Sequence, residues 1–146
     1  MHDWQRTFVQ KLEAARKQWL HRFERFALDY LDPAYQEFAE FTGSHGFQVL
    51  TPPCEPGTRL YKFGLTENGY LLITFRLRGL EEVEVCNEVF LPGVGALDTI
   101  RQHAALCDAG SEWVARQFQE GLDLFITEFG EAGAAEADQA AELVTA

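Results

Sequence analysis

The chain has 146 residues and a formal charge of −11, with 47% of its residues apolar, 24% charged and 13% aromatic. A domain of this length buries roughly 68–70% of the surface its unfolded form exposes, so a full core needs no disulfide or metal staple. No run of 18 or more apolar residues occurs, and the N-terminus lacks the charged-then-apolar order of a signal peptide, so neither membrane insertion nor secretion is expected and the chain is placed in the cytoplasm.

Residues 4–30 carry the first structural signal. Trp4, Phe8, Leu12, Ala15, Trp19, Phe23, Phe26 and Tyr30 recur at steps of 4, 4, 3, 4, 4, 3 and 4. The mean, about 3.7 residues, predicts one apolar stripe on a long α-helix. The order is nearer an eleven-residue repeat than a heptad, which disfavours a left-handed coiled coil. A helix of about 28 residues is about 42 Å long, and a globule of this size is about 38 Å across, so one end is expected to run to the edge of the body or beyond it. A projecting end bearing Trp4, Phe8 and Leu12 needs a partner, because contiguous exposed aromatic surface is a liability in a monomer.

The same stretch holds half of the basic residues. Residues 1–25 contain six bases and three acids, and residues 26–146 contain six bases and twenty acids. A body this acidic repels phosphate backbones, so nucleic acid is not an expected partner.

Asp32-Pro33 predicts an N-cap followed by proline at the first helical position, opening a short second helix with Tyr35, Phe38 and Phe41 that Gly43 closes. Residues 47–50 predict a short strand. The loop 51–57 contains three prolines and cannot continue it.

Asn68-Gly69 marks a hairpin between residues 58–66 and 70–78. A three-residue loop with Gly69 left-handed pairs Leu65 with Leu71, Phe63 with Ile73 and Tyr61 with Phe75. It places three apolar pairs on one face, which a two-residue turn does not. The opposite face then carries Leu60, Lys62, Leu72, Thr74, Arg76 and Arg78 and is only partly polar. A further strand points Val83, Val85, Val89 and Leu91 inward, with Glu84 and Glu88 outward against the arginines. Asn87 falls among the inward residues. The favoured reading is a β-bulge at Cys86-Asn87 that turns the amide outward. The rival is a polar group lining an apolar cavity, in which case Asn87, Tyr61 and Arg59 are the ligand-binding candidates.

Residues 97–107 read as helical in composition. Gly110-Ser111 offers a break and an N-cap before a second apolar stripe of Val114, Phe118, Leu122, Phe125 and Phe129. The resulting expectation is an α+β fold. It comprises an antiparallel four-stranded meander with a long N-terminal helix and C-terminal helices packed on one face, in a single domain over 1–130, followed by an Ala/Glu-rich flexible tail over 131–146.

Motifs for chemistry are sparse. Gly93-Val94-Gly95 lacks the rest of a phosphate loop, and there is no H-E-x-x-H or G-x-S-x-G. His103 and Cys107 sit at helical spacing, but two ligands do not make a metal site, and no oxyanion donor accompanies them as a thiol-histidine pair. Cys54, Cys86 and Cys107 are too few and too scattered for a disulfide framework and read as reduced thiols. No catalytic residue, metal or cofactor is therefore assigned. The small acidic α+β outline is loosely similar to that of bacterial secretion-chaperone domains, a likeness that transfers no residues. The leading expectation is a non-enzymatic protein–protein interaction module, with a homodimer as one form of it, that uses Trp4, Phe8 and Leu12, or else the partly polar sheet face. The alternatives are a small-molecule binder or enzyme with a pocket between sheet and helices, and an acidic cargo or assembly chaperone.

Overall fold

The structure is a computed structural model that describes residues 2–97 and 99–145, with side chains described as far as Gly133. Three helices and a six-stranded antiparallel sheet make an α+β fold. Helix α1 (Asp3–Phe26) runs through a π-helical segment, Ala27–Leu31, into α2 (Asp32–Gly43). Strands β1 (Gln48–Leu50), β2 (Thr58–Gly64), β3 (Tyr70–Arg78) and β4 (Glu82–Leu91) form a meander. Beyond it β5 (Gly95–Ala96) and β6 (Ile100–Ala105) both pair with β4. Helix α3 (Ser111–Thr145) closes the order.

The helices gather on one sheet face. Tyr61 and Phe63 of β2, Leu71, Ile73 and Phe75 of β3, and Val83 and Val85 of β4 alternate onto that face and are buried. They meet Phe23, Phe26 and Leu31 at the junction of α1 and α2, and Val114, Phe118 and Phe125 of α3. Phe118 is the central ring, with centroids of Phe38, Tyr61, Phe75 and Phe63 between 5.4 and 6.1 Å away. The spacing of the α3 stripe therefore corresponds to its buried side. The opposite sheet face is open. Lys62 Nζ lies 4.2 Å from the Tyr70 ring centroid, Tyr70 stacks on Phe90 at 4.6 Å, and Arg76 pairs with Glu84 at 2.7 Å.

Several expectations need correction. The sheet has six strands rather than four, because residues 100–105 are extended and pair with β4 from Glu82↔Ala105 to Asn87↔Ile100. The free edge of β4 outweighs the helical composition of that stretch, and among the described residues one helix, α3, follows the sheet. Asp32 does not cap a new helix. It stays helical at φ −64°, ψ −43°, and its N–H donates to the Ala27 carbonyl five residues back. Pro33 has no N–H to give and its ring crowds the preceding turn, so the chain widens to a π turn instead of breaking.

The hairpin register is displaced by two residues, with Phe63 opposite Leu71 and Tyr61 opposite Ile73. Because the shift is even, every side chain keeps its face. The loop is five residues long, closed by the Leu65 and Thr66 N–H groups donating to the Gly69 carbonyl at 2.9 and 3.1 Å. Gly69 is not left-handed. It is needed because an added methyl would stand 2.6 Å from Phe129 Cε2. Asn87 sits in no β3–β4 bulge: that register is unbroken from Tyr70↔Phe90 to Arg78↔Glu82, and the amide faces the core with 5% exposure. The tail expected over 131–146 falls largely on side chains outside the described residues.

Candidate functional site

Phe23 is the first residue of α1 to enter the core, with 0% exposure. Before it the helix leaves the body, so the stripe that is buried at Phe23 and Phe26 is open at Trp4, 68% exposed, and at Phe8, 57% exposed, with Val9 exposed and Leu12 half-buried beside them. Residues 3–18 form about 24 Å of free helix.

The root of this helix is anchored by polar as well as apolar contacts. Arg59 on β2 donates from Nη2 to Glu24 Oε2 at 2.6 Å and from Nη1 to Glu24 Oε1 at 3.3 Å, a two-pronged grip on α1. Its Nε lies 3.9 Å from Asp32 Oδ1. Glu24 holds the guanidinium further in its charged form. Tyr61 Oη donates to Asp32 Oδ1 at 3.2 Å. Burial, then the Asp32 charge, raises the phenol far above its ordinary range, so it stays neutral. Two of the three ligand-binding candidates, Arg59 and Tyr61, thus tie the helices to the sheet.

Asn87, the third candidate, lies on the same cross-strand row as Tyr61, with Ile73 between them. It lines a separate groove of about 320 Å³ with Ile100, Gln102, Glu120, Asp123, Leu124 and Thr127. Its Oδ1 has no partner, and neither does either amide atom of Gln117, which is 1% exposed on α3. The structure therefore does not gather Asn87, Tyr61 and Arg59 into one cavity.

Two further concavities involve residues that the sequence reading did not single out together. A cleft of about 490 Å³ opens where α1 meets the end of the sheet. Trp19, Phe26, Tyr30 and Leu106 supply apolar walls, and Arg22, Arg25, Asp29 and Glu81 supply charge. The Arg22 guanidinium lies 4.3 Å over the Trp19 ring. Trp19 is accordingly half-buried. A groove of about 430 Å³ runs between α2 and α3, lined by Phe38, Phe41, Thr42, Phe47, Gln119, Leu122, Asp123 and Ile126. Phe41 is 65% exposed and Ile126 45%.

Among the described residues no group of three or more His, Cys, Asp or Glu side chains could hold a metal ion, and no helix is long and apolar enough to cross a membrane. His103 and Cys107 are not side by side on a helix. His103 lies on β6 with Nδ1 3.9 Å from Glu82, and Cys107 follows the strand in a turn at the cleft. Burial raises the Cys86 thiol above its ordinary value, which suppresses the nucleophilic thiolate. No family model, curated protein or solved structure matches the chain.

Proposed function

We propose that the chain is a non-enzymatic interaction module that associates with itself through the exposed stripe of α1. One observation carries this reading: the stripe that buries Phe23 and Phe26 continues unbroken into open solvent at Trp4 and Phe8. Water-exposed aromatic area of that extent is stabilised by a covering surface. Six bases along 1–25 against an acidic remainder give the helix a preferred electrostatic target of the opposite sign. We place this activity in the cytoplasm, in keeping with three unpaired cysteines.

Sedimentation velocity over a concentration series is the test. Wild type is expected to self-associate and the Trp4→Ala/Phe8→Ala double variant to remain monomeric with an unchanged fold. A wild-type chain that stays strictly monomeric at high concentration overturns the reading.

A second reading, small-molecule binding, is favoured by the cleft beneath Trp19, whose apolar walls and few charged groups match the general character of ligand sites. Native mass spectrometry of the purified chain tests it, since a retained ligand adds its mass and Leu106→Trp should fill the cleft and exclude it.

A further inference from the structure

We propose that the free end of α1 is received by the α2–α3 groove of a second copy of this chain, and that two chains exchange their helices reciprocally. The proposal rests on the self-association reading above and names the receiving surface.

The two surfaces match in kind. With successive residues about 100° apart around a helix, Trp4, Phe8, Leu12 and Ala15 fall within an arc of about 80°. Lys11 lies about 20° beyond one margin of that arc and Arg16 about 40° beyond the other. The helix therefore presents an aromatic ridge with a cation on each flank. The groove presents the converse, an apolar floor of Phe38, Phe47 and Leu122 with Phe41 and Ile126 open to solvent and Asp123 in its lining. The helices that form it carry eight acids and one base over residues 32–43 and 111–133.

Charge and area together select this surface over pairing of α1 with α1. Two copies of α1 laid together oppose +3 with +3 over residues 1–25, whereas α1 on the groove opposes unlike charges. A free helix about 24 Å long and 10–12 Å thick covers about 400 Å² on one side. One α1–α1 contact buries only that much per chain. Reciprocal exchange engages one helix and one groove on each chain, or about 800 Å² per partner, which is the size of a stable specific interface. It also closes a two-fold dimer, whereas one-way seating would build an open chain of molecules.

Three full-length chains test the proposal by sedimentation velocity, with circular dichroism as the folding control: wild type, Trp4→Ala/Phe8→Ala, and Phe41→Ala/Ile126→Ala. All four positions are exposed, so the variants should keep the fold. Wild type is expected to be a dimer whose dissociation constant rises with salt. Each double variant alone should raise that constant by about 30-fold or more. If Phe41→Ala/Ile126→Ala dimerises like wild type, the groove is not the receiver, although self-association through α1 stands. If Trp4→Ala/Phe8→Ala dimerises like wild type, the self-association reading itself falls.

Discussion

The two ends of α1 share one periodicity and one kind of side chain, yet Phe23 and Phe26 are sealed in the core while Trp4 and Phe8 are open. The difference lies in what faces them. At the inner end Arg59 grips the helix through Glu24 and Phe23 and Phe26 enter the core, and at the outer end the body has ended. A hydrophobic pattern therefore specifies which side of a helix seeks cover, and only the extent of the body decides how much of that side finds it within the same chain.

This contrast sets the expected ranking of substitutions on folding stability. Phe23→Ala should cost about 3–5 kcal/mol, read as a drop in the urea midpoint, because a buried ring leaves a cavity. Trp4→Ala/Phe8→Ala, measured under conditions where the chain is monomeric, should stay within about 0.5 kcal/mol of wild type. Equal losses at the two ends would erase the distinction. Where the boundary falls can be sharpened at Gly57, which has φ +81° and would bring a methyl to 3.0 Å from Leu20 Cδ2. Gly57→Ala should cost about 1–3 kcal/mol through backbone strain at its positive φ and displacement of the Leu20 side chain. Within the body, Gln117→Met should stabilise by about 1 kcal/mol, since it replaces a buried amide whose Nε2 and Oε1 are both unpaired.

A further small effect is pH-dependent. The Arg76 guanidinium holds the Glu84 carboxyl below the usual carboxylate range. A depressed folded value stabilises the native state fully above the unfolded value, about 4.3, and that contribution fades as pH falls through the folded one. Glu84→Gln should therefore lower stability by about 0.5–1 kcal/mol at pH 7, with the two urea midpoints converging as pH falls through the folded value. A gap that persists in acid would assign the loss to packing instead.

Much of the fold is legible along the chain where side chains repeat. The α1 and α3 stripes, the inward valines of β4 and the outward glutamates are periodic facts, and periodicity is set locally. What escapes is decided by distant partners. Residues 100–105 contain alanines that suit a helix but lie where β4 needs a neighbour. The loop at Gly69 packs against Phe129, sixty residues further on, so closely that an added methyl would stand 2.6 Å from its ring, a contact no local spacing predicts. The same holds for the candidate site. Trp4 and Phe8 stand out in sequence, whereas the α2–α3 groove joins Phe41 and Phe47 to Leu122 and Ile126, which no spacing relates. Asn87 is visible as a polar residue in an apolar row, but a continuous ladder, not a bulge, determines its direction.

The rims of the sheet have a consequence for how molecules can meet. Strand β1 is only three residues long and is followed at once by Thr51-Pro52-Pro53, while β6 carries Arg101 and His103. Prolines supply no amide hydrogen and the solvated Arg101 guanidinium resists stacking on its own copy, so neither border offers a long ladder on which another chain could crystallise into fibrils. Growth by strand addition is blunted on both sides, so the aromatic rings that α1 leaves in solvent stand apart from any edge that could template aggregation.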